Sequence, residues 1–147
     1  MKIIGITGGV GAGKSTILDY LSQKYDAYVI QADKIGHLVM EPGGLCYEHV
    51  IALFGRQIIK NDKTIDRKQV SDVVFGNELM RQSLDAIIHP AVKTYILEEI
   101  RKQRQAGCRL LVIEAALLLE EHYEEFCNNV WYLSLIHISE PTRHLRI

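Results

Sequence analysis

The chain lacks a surplus of either charge. Seventeen Lys and Arg stand against eighteen Asp and Glu, a formal net charge of −1 over 147 residues. A nucleic-acid binder normally carries a basic excess, so that partner is not expected. No apolar run approaches the roughly 20 residues that span a bilayer, so no membrane partner is expected either. The amino terminus enters a short apolar run directly, which argues against a signal peptide. Cysteine is scarce: Cys46, Cys108 and Cys127 are an odd number with no C-x-x-C pair. That pattern argues against a disulfide framework or a zinc site, and for thiols packed as small apolar groups in a reducing cytoplasm. Repeats and low-complexity linkers are also missing. What remains, 48% hydrophobic and 24% charged, is the composition of an ordinary globular domain long enough to bury a core.

Against that plain background one stretch stands out. Gly8-Gly9-Val10-Gly11-Ala12-Gly13-Lys14-Ser15 fits G-x-x-x-x-G-K-[ST] without mismatch. Before it, Lys2-Ile3-Ile4-Gly5-Ile6-Thr7 has the length and β-branching of a buried strand. After it, Ile17, Leu18 and Leu21 recur at helical spacing. Strand, glycine loop and helix together make a phosphate cradle. Glycines let backbone N–H groups turn inward, and the helix N-terminus adds partial positive charge. The spacing predicts that Gly8 to Thr16 grip Mg·ATP, with Lys14 reaching the β- and γ-phosphates and Ser15 holding Mg²⁺.

The rest of the chain reads as an α/β protein. Ala27–Ile30 predicts a second strand, and a helix starts at Asp33 and breaks at Pro42-Gly43-Gly44. Tyr47 to Phe54 predicts a helix ending at Gly55. Asp62-Lys63 is a turn. Asp66 with Gln69 resembles a capping box opening a helix through Phe75. A helix bearing Leu79, Met80, Leu84, Ile87 and Ile88 on one face is interrupted at His89-Pro90; the next runs from Ala91 to Gln105. Cys108–Glu114 predicts a strand buried on both faces, and Val130–Leu133 another, with a helix between them. The expected fold is a parallel sheet with flanking helices and a helical insertion over about 34–106.

Several residues suit chemistry. Glu114 ends a strand, where an acid in such a protein orients Mg²⁺; the alternative is a solvent-facing strand end. Asp33 has two compatible readings, a helix N-cap and a general base for an acceptor hydroxyl. His37, one turn on, shares its face and becomes a substrate contact on that account. Arg67 lies in the first turn of its helix, where a cation is unfavourable by about 0.3–1 kcal/mol, so an anionic ligand or simple solvation accounts for it. His89 is a capping residue or a ligand contact. Glu120 to Glu125 reads as a solvated face.

Taken in order, these pieces resemble the dephospho-CoA kinase family: Ile4 to Thr16, Ala32-Asp33-Lys34-Ile35-Gly36-His37, Ile65-Asp66-Arg67, Ile88-His89-Pro90, and Glu114-Ala115-Ala116-Leu117-Leu118-Leu119-Glu120. The resemblance implies a P-loop kinase that moves the γ-phosphate of ATP onto the ribose 3′-hydroxyl of dephospho-CoA. The insertion would hold the acceptor. Asp33 would be the base, and His37, Arg67 and His89 would take acceptor-side positions. Two positions depart from the pattern: Gln31 stands where many relatives carry Asp, and Glu114-Ala115-Ala116 where many carry Asp-x-Pro. Residues 1–133 are read as an incomplete kinase domain. From Ser134 to Ile147 the chain is expected to be a tail foreign to the family, resembling a translated sequencing adapter, so Arg143 and Arg146 receive no lid role. Two alternatives stand beside this reading: a kinase of another small acceptor such as a nucleoside or nucleotide, and a non-catalytic nucleotide-binding module. The absence of an Asn-Lys-x-Asp segment counts against a guanine-nucleotide switch.

Overall fold

The computed structural model describes residues 1–9 and 13–133. Val10, Gly11 and Ala12 of the expected cradle, and the tail from Ser134, lie outside the described residues. The chain divides into two compact units, Met1–Asp33 with Ile96–Ile147, and Lys34–Tyr95.

The first unit is built on a parallel four-stranded sheet of order β2-β3-β1-β4. Its strands are β1 (Lys2–Gly8), β2 (Tyr28–Gln31), β3 (Leu110–Glu114) and β4 (Asn129–Leu133). The unbroken apolar runs of β1 and β3 take the two central places, where both faces are covered. Leu111, Val112 and Ile113 have no exposed surface at all. On one face Ile4, Ile6, Val112 and Leu133 pack with Leu18 and Leu21 of α1 (Lys14–Tyr25), with Ile17 alongside. That is the helical stripe read from the sequence. Elsewhere on β1, Gly5 allows a close approach: a Cβ there would stand 2.8 Å from Cys127 Sγ and 3.0 Å from a Leu118 methyl. Asn128, immediately before β4, exchanges bonds with Ile3 of β1. Its N–H donates to Ile3 O and its Oδ1 accepts from Ile3 N, both at 2.7 Å.

Between β3 and β4 the expected α-helix does not form. The segment is a set of turns followed by a 3-10 helix at Tyr123–Phe126. Two causes are visible. Leu117, Leu118 and Leu119 are consecutive, so they cannot share one helical face, and only Leu118 is buried. His122 adopts φ 60°, which reverses the chain after one turn. The acidic stretch around it is also not wholly a solvated face, because Tyr123 is 4% exposed.

The second unit is helical. It takes in most of α2 (Ala32–Leu38), then α3 (Tyr47–Phe54), α4 (Arg67–Phe75) and the first part of α5 (Glu78–Gln105). Its buried residues include Val39, Cys46, Val50, Ile51, Ile58, Ile65 and Val70. An antiparallel bridge between Ile59 and Ile65 closes the turn at Asp62-Lys63, where Lys63 adopts φ 76°. Asp66 caps α4: its carboxylate accepts from the N–H groups of Lys68 and Gln69 at 3.1 and 3.3 Å. The reciprocal arm of the box is not used, because the Asp66 N–H donates to Ile58 O at 2.7 Å.

The interruption expected at His89-Pro90 is absent. α5 runs through Pro90 for 28 residues. Proline removes the N–H that would bond to Ala86 O, a loss of about 3 kcal/mol or more in a helix interior. Val92, Ile96 and Ile100, four apart and buried to 2%, 0% and 6% exposure, form the stripe whose burial carries the helix past that gap.

Candidate active site

In a parallel sheet the carboxyl ends of the strands gather at one edge, and here that edge carries the charged residues. Glu114 closes β3 between two neighbours, register partner of Ile6 on β1 and of Gln31 on β2. Its side chain is held from both sides. Lys14 Nζ donates to Glu114 Oε2 at 3.2 Å, and Gln31 Nε2 donates to Oε1 at 3.5 Å. Lys14 Nζ also donates to Gly8 O at 3.2 Å. Lys14 and Glu114 are largely withdrawn from water, with side chains 17% and 11% exposed. Burial of either charge alone would be costly, and the pair with its added hydrogen bonds satisfies both. The ammonium is thus parked at the foot of the glycine loop, where it can exchange a carboxylate and a carbonyl for phosphate oxygens.

Two glycines are required by the backbone. Gly8, at φ 152°, lies so near β4 that a Cβ would meet Leu133 O at 2.3 Å. Gly13 adopts φ 83° immediately before α1 and turns the loop into the helix. Gly9 has open space around its Cα. Ser15 and Thr16 are exposed in the first turn of α1. Thr7 is buried, and its hydroxyl donates to Ala116 O at 3.2 Å, tying the segment after Glu114 to β1.

The donor set suits Mg²⁺. A serine hydroxyl and one carboxylate are hard oxygen ligands, and Mg²⁺ is usually held by one or two carboxylates together with substrate phosphates and water. Among the described residues no cluster of three His, Cys, Asp or Glu side chains forms a self-sufficient cage.

Asp33 is exposed in the first turn of α2, directly after β2. The helix already includes Ala32, so the carboxylate lies inside the first turn rather than at the cap, where it still complements the helix dipole. Nearby, burial pushes the Tyr123 hydroxyl up to about 12, with the carboxylates of Glu121 and Asp33 adding to the effect.

In the second unit His37 and Arg67 line the same hollow, about 520 Å³ in volume. Lys34 and Lys60 add cations to its wall, which also carries the carboxylates of Glu41 and Asp62. Arg67 is exposed and has no ion-pair partner among the described residues. His89 is not part of this wall; it lies on α5 beside Asp85, with Nε2 3.8 Å from Oδ1. Sequence reasoning passed over Lys60 and noted Gln31 only as a departure from the family pattern. The first is brought in by the Ile59–Ile65 bridge, for which the Asp62-Lys63 turn was the available signal. The second gains meaning only from its register partner.

A family model described as dephospho-CoA kinase matches residues 2–145, running past Leu133 into the tail. A dephospho-CoA kinase from Shouchella clausii is 35% identical over 144 residues, covering 98% of this chain and 71% of that protein. One from Dehalococcoides mccartyi is 36% identical over 134 residues, covering 91% and 67%. Among solved structures, a protein from Thermus thermophilus superposes with a TM-score of 0.72 at 27% identity, and a dephospho-CoA kinase from Campylobacter jejuni with 0.68 at 27%. Each structure covers 91% of this chain, which spans 64% and 66% of their respective lengths. With a match over nearly its whole length, and a parallel sheet that gathers Lys14, Glu114 and Asp33 at its carboxyl edge, the chain belongs to the dephospho-CoA kinase family.

Proposed function

We propose that this chain carries the machinery for moving the γ-phosphoryl group of ATP onto the ribose 3′-hydroxyl of dephospho-CoA. The observation that carries the reading is Lys14, held at the edge of the sheet 3.2 Å from both Gly8 O and Glu114. The backbone amides at the start of α1 and the Lys14 ammonium receive the phosphates. Ser15 and Glu114 would hold Mg²⁺, which when bound neutralises charge on the β- and γ-phosphates. Asp33 accepts the proton of the acceptor hydroxyl. The freed oxygen bonds to the γ-phosphorus as the bond from that phosphorus to the β–γ bridging oxygen breaks, and ADP departs. Positioning and fixed charge do most of the work in such a transfer.

The second unit supplies the acceptor side. Lys34, His37, Lys60 and Arg67 around one hollow suit the anionic parts of dephospho-CoA. His89 is assigned to the same acceptor side by the family resemblance. Cys46, Cys108 and Cys127 carry free thiols, in keeping with a cytoplasmic enzyme. No described helix is long and apolar enough to cross a membrane.

Calorimetric titration tests the reading. The chain is titrated separately with Mg·ATP, dephospho-CoA and adenosine. Binding of the first two, with Arg67→Ala weakening dephospho-CoA and sparing ATP, is the expected result. Preference for adenosine over dephospho-CoA would make this a kinase of another acceptor. ATP binding with no acceptor binding would leave a nucleotide-binding module.

A further inference from the structure

Lys14 has two duties that compete. It pairs with Glu114 in the structure, yet a bound nucleotide draws it toward the phosphates. Once it leaves, Glu114 loses the contact on Oε2 and, among the described residues, keeps only what holds Oε1. That remaining contact is the side-chain amide of Gln31, Nε2 to Oε1 at 3.5 Å. The contact follows from the backbone, because Gln31 and Glu114 are Cα register partners on the adjacent parallel strands β2 and β3. Partners of this kind project to the same side of the sheet. Glu114 is buried at 8% exposure, so water offers its carboxylate little. The amide of glutamine is neutral and presents its NH₂ to a carboxylate; the carbonyl end would be repelled.

We infer that Gln31 is a positioning residue for Glu114, fixing the carboxylate toward Mg²⁺ when Lys14 turns to the phosphates. This rests on the reading of Glu114 as the acid that helps hold the metal. Groups in the shell behind a metal ligand orient it, and their loss typically costs about 10–100-fold in metal affinity. The predicted signature is therefore selective. Among the described residues Gln31 bonds to Glu114 and to no part of the phosphate cradle, so its removal should reduce the benefit of Mg²⁺ and leave metal-free nucleotide affinity alone.

The test measures ATP affinity of the chain by calorimetry with Mg²⁺ and with EDTA; the ratio of the two is the Mg²⁺ gain. Gln31→Leu keeps the volume and removes the donor. Gln31→Met keeps the length of the side chain and likewise removes the donor. Both are expected to lower the Mg²⁺ gain by about 10-fold or more, with affinity in EDTA unchanged. On a Glu114→Gln background, Gln31→Leu should have no further effect. Thermal unfolding of each variant confirms that it folds, and if Gln31→Leu does not, the unbranched Gln31→Met decides. An unchanged Mg²⁺ gain in a folded variant overturns the proposal. So does an equal loss with and without Mg²⁺, or a further loss on the Glu114→Gln background. If Glu114→Gln itself leaves the gain intact, the reading of Glu114 as a metal-holding acid fails, and the role of Gln31 falls with it. A parent chain that binds no ATP overturns the kinase reading as a whole.

Discussion

Lys14 is where stability and function meet at a single residue. Truncating it removes the charge proposed to meet the phosphates and also strands the buried Glu114 carboxylate. Lys14→Ala should weaken Mg·ATP binding by roughly 10–100-fold, the value of a hydrogen bond to a charged group at about 1.5–3 kcal/mol. It should also lower stability to urea in the absence of nucleotide, and Glu114→Gln in the same chain should restore part of that loss. Equal ATP affinity for Lys14→Ala and the parent chain would sink the assignment. Asp33 separates the two effects more cleanly. It is exposed and its carboxylate lies within the first turn of α2. Asp33→Asn gives up a helix-dipole contact of about 0.3–1 kcal/mol, so the melting temperature should barely move. In steady-state assays of an active enzyme carrying this sequence, kcat should fall about 10²–10⁴-fold with KM little changed. A near-normal kcat would leave Asp33 only its place in the helix dipole.

Among the elements, β1 and α5 each contain a residue that the local pattern alone would not have chosen. β1 uses Gly5 in mid-strand because Cys127 and Leu118 press against it. Gly5→Ala should destabilise by about 1–3 kcal/mol through overpacking, despite the better strand propensity of alanine, and urea denaturation would show it. α5 tolerates Pro90 because the buried stripe that follows it, Val92, Ile96 and Ile100, holds the helix together. Pro90 is itself exposed. Pro90→Ala therefore restores a donor without disturbing a packed surface, and should raise stability by about 1–3 kcal/mol. A drop in the unfolding midpoint would mean that the proline ring makes a contact the helix needs.

For the molecule as a whole, pH stability should be asymmetric on the alkaline side. Burial pushes the Cys127 thiol from 9.0 up to about 11 and the Tyr123 hydroxyl from 10.0 up to about 12. Both groups are neutral when protonated, and folding favours that neutral form. A folded-state value above the unfolded one means that the unfolded chain releases the proton first as pH rises. The stabilisation is fully present below pH 9 and is lost progressively between about pH 9 and 12. Chemical denaturation at pH 8, 10 and 11 should show the decline, and Cys127→Ala should flatten its lower part. An unfolding free energy constant to pH 11 would count against burial of these groups in solution. The raised pKa of this half-buried thiol argues that Cys127 reacts slowly with alkylating reagents in the native state.

What the sequence determined by itself was local. The apolar run of β1, the glycine loop and the stripe of α1 specify strand, turn and helix over a short stretch, because each is written in period and backbone freedom. Asp66 announced the start of α4 for the same reason: its carboxylate bonds to N–H groups two and three residues on. Lys14, Ser15 and Glu114 were legible as candidates through residue type and place at strand or helix ends. The tertiary structure decided what lies at a distance. Lys14 and Glu114 are a hundred residues apart in sequence, and they meet because burial selects β3 as the neighbour of β1. Gln31 gains its partner from the register of β2 on β3, and Lys60 joins His37 and Arg67 through one bridge between isoleucines. The same non-local burial kept α5 whole across Pro90, and three consecutive leucines with a reversed His122 kept the link from β3 to β4 from becoming a helix. Short-range chemistry sets what each segment can be; which segments face one another is a matter of shared burial, and that is settled only when the whole chain has folded.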